Sequence, residues 1–328
     1  MALRRVLIGA AAMLAAALGN SAMAQQDPAA GFPDRPLHIV VGFTAGGGND
    51  ILARLIGEKI SQDWHQPVLV ENKPGASGII AAGYVAKAPA DGTTLLMGPS
   101  GSMTINPVVY DSLPYDTLRD FAPVSMVASF PLYLVVRPGL PVHSATELVA
   151  YARANPEKAN YGAASTAFQL ATELFKIKTG APLEYIPYKG SSEMVVAVIA
   201  GEVLTTMADA PPVSGQLQQG QLRGLAVTAA QRSAQFLDIP TMAEAGVPDM
   251  EVTLWSGLFA PAATPPAIVA KWQDEVARVV HLPEIRDRMA TLAVEPVGDS
   301  PAEFRTVIEG DLARWASVAK AAHVKILQ

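Results

Sequence analysis

The chain has no cysteine, which excludes a disulfide framework, thiolate chemistry and attachment through a lipidated cysteine. Stability must therefore come from a packed core, and 328 residues suffice for two domains of ordinary size. Beyond residue 24 no apolar run approaches the roughly 20 residues a membrane helix needs, so a soluble protein with no membrane insertion is expected. His38, His65, His143, His281 and His323 show neither H-x-x-x-H spacing nor clustering with carboxylates, so no metal site is expected. Nucleotide fingerprints are missing too: Ile51 stands where the last glycine of G-x-G-x-x-G belongs, and no Gly-Lys-Ser/Thr follows, so no cofactor is expected. There is no low-complexity tract, internal repeat or basic stripe.

What is present begins with an export signal. Arg4 and Arg5 precede the apolar run Val6 to Leu18, and Ala22-Met23-Ala24 supplies small residues before Gln25. Residues 1–24 read as a secretory signal cleaved after Ala24, with a retained signal anchor as the alternative. Cleavage leaves 22 basic residues against 30 acidic ones, a net charge of −8. A negative body disfavours nucleic acid as a partner, and any anion site must work through local backbone dipoles.

The stretch Val40 to Asp50 has that character. It runs from an apolar strand through Gly46-Gly47-Gly48 into an amphipathic helix carrying Ile51, Leu52, Leu55, Ile56 and Ile60, with Asn49 or Asp50 as candidate cap. Free N–H groups at a helix start suit a carboxylate or phosphate, although a strand-to-helix turn that binds nothing has the same pattern.

The rest alternates short apolar runs with longer amphipathic ones, the pattern of an α/β protein with mostly parallel sheets. Strands are expected at 37–41, 68–70, 93–97, 183–187, 203–208, 222–228 and 252–260, with a long apolar run at 124–136. Gly98-Pro99-Ser100-Gly101-Ser102 is a second loop at a strand's C-terminal end, where open α/β sheets bind ligands. Helices are expected at 78–87, from Ser144 to Ala154 and at 168–179 and 192–200. Thr264 is expected to cap a helix begun by prolines, and Ser300 to Glu303 to form a capping box for the last one. A middle lobe inserted into the first gives two crossings, as a hinge requires.

Phe32-Pro33-Asp34-Arg35-Pro36, Phe43 to Asp50, Val70 to Ala76, Ala90 to Met97, Leu113 to Asp116, Asp120 to Val124, Pro187 to Gly190, Leu225 to Thr228, Pro240 to Gly246 and Gly257 to Ala262 stand in an order covering the mature chain. Together they resemble the Bug receptors, the periplasmic solute-binding proteins of tripartite tricarboxylate transporters. The resemblance implies a two-lobed periplasmic-binding-protein fold, with lobe 1 at 32–130 plus 255–328 and lobe 2 at 131–254. It implies a monomer that closes over a small carboxylate or dicarboxylate and delivers it to a tripartite tricarboxylate permease. It carries over Phe43, Thr44, Ala45, Gly46, Gly47 and Asn49 with Ser100, Gly101 and Ser102 to the first half of the site. Ser165, Thr166, Ala167 and Phe168, with Asp209, make the second half. Asp209 either orients water, accepts from a ligand donor or caps the following turn.

Two departures stand out. Relatives commonly have proline at the position of Thr44. Their second-lobe loop usually reads Gly-x-Gly-Ser/Thr-x-x-His, whereas Ala163 to Gln169 is shorter and lacks both glycines and the histidine. Phe168 then either packs in the core or adds apolar surface suited to an aromatic acid.

Other functions fit less well. Ser100 comes near a G-x-S-x-G nucleophile elbow, but Ser102 occupies the last glycine position, and no histidine lies in a loop placed beside it. A ligand sensor for a membrane signalling partner uses the same pocket, and so remains an alternative to transport. Trp255 falls on the expected return crossing, as a core or hinge residue able to report closure.

Overall fold

The structure, a computed structural model, describes residues 29–322, so the secretion signal expected at 1–24 lies outside the described residues. The first lobe opens with β1 (Leu37–Val41), α1 (Gly48–Trp64), β2 (Val68–Asn72), α2 (Ile79–Val85) and β3 (Thr94–Pro99). A π-helical turn (Gly101–Ile105), α3 (Asn106–Val109) and α4 (Thr117–Asp120) lead into the long strand β4 (Phe121–Val136). The second lobe contains α5 (Ala145–Ala154), β5 (Asn160–Ala163), α6 (Thr166–Thr179), β6 (Glu184–Pro187), α7 (Ser191–Ala200), β7 (Thr205–Asp209), α8 (Ala210–Gln218) and β8 (Arg223–Val227). The chain returns through β9 (Thr253–Pro261) to α9 (Pro266–Val280), α10 (Pro283–Thr291), β10 (Glu295–Pro296) and α11 (Pro301–Ala322).

The strands run in the order β2-β1-β3-β9-β4-β7-β5-β6, with β8 and β10 also pairing with β4. The outer strands are parallel, β1 with β2 and β3, and β5 with β6 and β7. The strands that cross between lobes are antiparallel to each other and to their other neighbours, because β9 brings the chain back against the direction of β4. β4 pairs with β9 as far as Pro131 and with β7 from Leu132, so one strand serves both halves of the molecule. Its inner length is buried almost continuously, which explains an apolar run without alternation.

Local chemistry sets several boundaries. β1 is wholly apolar apart from His38 because it lies between two neighbours, and the stripe Leu52, Ala53, Ile56 and Ile60 of α1 is buried. Ser300 accepts from the Glu303 N–H at 3.3 Å while Glu303 accepts from the Ser300 N–H at 2.9 Å, the full capping box. At Ser144 the box is offset: its hydroxyl accepts from Glu147 N–H, but Glu147 reaches back to the His143 N–H at 2.7 Å. Thr264 is not a cap. Pro265 takes that position and Pro266 the first helical one, while the Thr264 hydroxyl is buried without a partner.

Aromatic contacts form two clusters. Trp272 is fully buried, its indole N–H donates to the Gly92 carbonyl at 2.9 Å, and its ring meets Trp64 edge-on at 4.7 Å. The second joins the two crossing strands to α11: Phe121 of β4, Trp255 and Phe259 of β9, and Phe304.

Candidate functional site

The turn after β1 places the glycine loop at the C-terminal end of a central strand. Gly47 is extended at the N-cap and makes no side-chain cap, so neither Asn49 nor Asp50 caps α1; both lie inside its first turn. Asp50 works from there. Its buried carboxylate accepts from the Gly46 N–H at 2.9 Å and from Asn72 at 2.9 Å, and pairs with Arg54 at 2.9 Å. Burial raises its proton affinity, but the bonds from Arg54, the Gly46 N–H and Asn72 outweigh that and hold it below the usual carboxylate range. The loop is thus braced from behind, with one of its own donors consumed in doing so.

The second loop expected from sequence is not a loop. β3 continues to Pro99, Ser100 is already helical, and the wide π-turn of 101–105 follows at once. This turn sends its first two hydroxyls different ways. Ser100 lies at the cleft, where its Oγ accepts from the Trp255 N–H at 3.4 Å. Ser102 points back into the first lobe and donates to the Ser77 carbonyl at 2.9 Å.

The lobes meet over this surface. The Thr166 hydroxyl donates to Asn106 Oδ1 at 2.6 Å, Ser192 Oγ donates to the Ala45 carbonyl at 3.1 Å, and the Gly48 N–H donates to Ser191 Oγ at 3.4 Å. Two glycines make the approach possible. A Cβ on Gly48 would lie 1.9 Å from Asp209 Oδ2, and one on Gly190 would lie 1.9 Å from Thr44 Oγ1. Between the lobes remains a cavity of about 20 Å³, the room of one water molecule, so an organic acid enters only by parting them.

Of the residues singled out from sequence, Phe43, Gly47, Asn49, Ser100, Gly101, Ala167, Phe168 and Asp209 line this cavity. Ser165 lies beneath it, accepting from the Phe168 N–H at the start of α6, and Thr166 is spent on the bond to Asn106. Thr44 packs on Gly190 with its hydroxyl buried and unpartnered, Ala45 contributes a carbonyl to Ser192, and Gly46 faces an outer groove. Phe168 belongs to the buried core cluster and is also among the residues lining the cavity.

Gly48, Pro99, Phe130, Ser191, Leu254 and Trp255 complete the lining. Gly48 belonged to the glycine run and Pro99 to the second loop, whereas the other four come from distant segments with no local signature. The sequence expectation for Trp255 is a core or hinge residue. It lines the cavity, and its indole N–H donates to Asp311 on α11 at 2.7 Å.

Asp209 is the lone ionisable group in the lining. It is 2% exposed, and burial pushes its carboxyl up to about 6 against the opposing bonds from Ser191 and the Gly48 N–H. Its Oδ1 has no partner.

The sequence pattern of the family described as "Tripartite tricarboxylate transporter family receptor" matches residues 52–324. The chain belongs to that family.

BugT of Bordetella pertussis is 34% identical over 298 residues, 90% of this chain and 91% of that one. Among solved structures, Rpa4515 of R. palustris with adipate superposes with a TM-score of 0.86 at 39% identity, covering 89% of this chain and 98% of that one. MatC of Rhodopseudomonas palustris with bound malate gives 0.83 at 29% identity, covering 88% and 99%. The periplasmic binding protein BugD gives 0.85 at 29% identity, covering 89% and 99%. The receptor is accordingly a two-lobed periplasmic-binding-protein fold of a solute-binding family. Among its described residues no helix is long and apolar enough to cross a membrane.

Proposed function

We propose that this receptor captures a small organic acid between lobe 1 (32–130 plus 255–328) and lobe 2 (131–254). It then presents the closed form, as a monomer, to a tripartite tricarboxylate permease. The chain is exported and its signal is cleaved after Ala24. The observation that carries the reading is the interlobe cavity, where the helix start at Gly47-Gly48-Asn49 and the turn at Ser100-Gly101 face Ala167 and Phe168 with no Lys, Arg or His among the lining residues. Backbone N–H groups and hydroxyls hold a carboxylate in such a place by charge-assisted bonds without a counter-cation. The adipate and malate bound by two structural relatives favour the same class of ligand.

Closure provides the signal. A ligand touching both lobes stabilises the closed state by its differential contacts, and a permease can then distinguish loaded from empty receptor. Hydrolysis at Ser100 is disfavoured: its Oγ faces the Trp255 N–H, and no histidine is among the cavity's lining residues.

Calorimetry on refolded, ligand-stripped protein tests the reading with succinate, adipate, malate, glutamate, benzoate and terephthalate. One-to-one binding of an acid at micromolar or lower Kd is expected. Silence across the panel from folded protein would overturn it.

A further inference from the structure

Asp209 is buried, lines the cavity and ends β7, and its three conceivable roles do not survive equally. A capping carboxylate bonds the N–H of the second or third helical residue. In α8 those residues are Pro211 and Pro212, which have no N–H, and Asp209 makes no side-chain cap. The carboxylate is therefore not spent on its own helix.

Its two oxygens differ. The Ser191 hydroxyl and the Gly48 N–H lie near the carboxylate and favour its charged form, and Oδ2 is the oxygen that faces Gly48, whereas Oδ1 is buried with no hydrogen-bond partner. Leaving a buried carboxylate oxygen unpaired is costly, and no cation among the lining residues offsets it. A ligand carboxylate seated between the helix start at Gly47-Gly48-Asn49 and the turn at Ser100-Gly101 would bring a second anion close to Asp209. Repulsion between them is relieved if the ligand places a hydrogen-bond donor beside its own carboxylate, facing Oδ1.

We infer that Asp209 is the specificity-determining residue of this site, its free Oδ1 accepting from a hydroxyl or ammonium on the carbon next to the ligand carboxylate. The receptor then takes a 2-hydroxy or 2-amino acid in preference to the parent acid lacking that donor. The inference rests on the reading of the cleft as an organic-acid site. The two oxygens make it specific: Oδ2 faces Gly48 of the opposite lobe, and Oδ1 is the one left for the ligand.

Matched acids test it by calorimetry: succinate against malate and aspartate, and glutarate against 2-hydroxyglutarate and glutamate. With the unaltered receptor, a donor-bearing acid is expected to bind at least tenfold more tightly than its parent in one of the two series. In Asp209→Ala the gap should fall below threefold. Asp209→Asn, which keeps an acceptor without the charge, should retain a hydroxyl preference and lose most of an ammonium preference. Parent acids binding as tightly as their donor-bearing partners in the unaltered receptor would overturn the assignment and leave the acid-receptor reading standing, as would a preference that survives Asp209→Ala. Failure of every acid to bind would overturn both. The ligand comparison needs no variant, so a poorly folded Asp209→Ala protein leaves the test decisive.

Discussion

The Thr166 hydroxyl and Asn106 Oδ1 lie 2.6 Å apart, buried, and their bond joins the second lobe to the first. Asn106 is held for this contact from behind, its Nδ2 donating to the Ser77 carbonyl at 3.1 Å. The bond exists where the lobes meet, so it biases the opening equilibrium and with it ligand affinity.

Replacing Thr166 by valine keeps the shape and removes the hydroxyl, leaving Asn106 Oδ1 unpaired when the lobes close and hydrated when they open. A net hydrogen bond contributes about 1 kcal/mol, so affinity should fall by about fivefold. Thermal stability of the ligand-free protein should change little. Calorimetry against a bound acid checks this; an unchanged Kd would show that the bond does not contribute to closure.

Gly48→Ala and Gly190→Ala each put a Cβ 1.9 Å from an oxygen of the opposite lobe, Asp209 Oδ2 and Thr44 Oγ1 respectively. Both substitutions should weaken binding by tenfold or more while leaving circular dichroism unaltered, because the clash occurs across the cleft and not within a lobe. Thr44→Ala should partly rescue Gly190→Ala. Scattering profiles of the two single variants should be more extended than that of the parent, and superimposable profiles would contradict the steric argument.

The Asp209 carboxyl, raised by burial to about 6, makes a signed prediction about pH. A carboxyl whose folded value lies above its unfolded one contributes stability fully present below the unfolded value near 4, and that contribution is lost as pH rises through about 6. Asp209→Asn is free of this loss. Its stability relative to the parent should rise between pH 4 and 7 by at most about 3 kcal/mol, read as a growing difference in melting temperature. A difference that stays flat across that window would mean the carboxyl is hydrated in the ligand-free protein.

Trp255 lines the cavity and is tied to Asp311 through its indole N–H at 2.7 Å. Ligand entry should therefore change its emission more than that of Trp64 or Trp272, which pack together away from the cavity lining. Trp255→Phe should abolish most of the ligand-induced fluorescence change while the receptor still binds by calorimetry. Retention of the full change would assign the signal to another tryptophan.

Much of this architecture was legible in short stretches of chain. β1, its glycine turn and α1 are specified within about 28 residues by an apolar run, small residues and a helical stripe. The capping box at Ser300 is complete in four residues, and Pro211-Pro212 already denied Asp209 the N–H groups a cap requires. Where two local signals competed, the sequence misled: Thr264 resembles a cap, yet the helix begins at Pro266 because Pro265 takes the N-cap conformation.

What the sequence alone determined was the order of strands and helices and the supply of small polar residues at strand ends, since propensity, periodicity and capping act over a few neighbours. Only the tertiary structure decided which of those residues face one another. The π-turn brings Ser100 to the cleft and turns Ser102 away, and the meeting of lobes sets Thr166 against Asn106. Ser191, Phe130 and Trp255 reach the same cavity from three distant segments. Those contacts depend on how two lobes pack across β4 and β9, and no local pattern encodes a distance between residues so far apart in the chain.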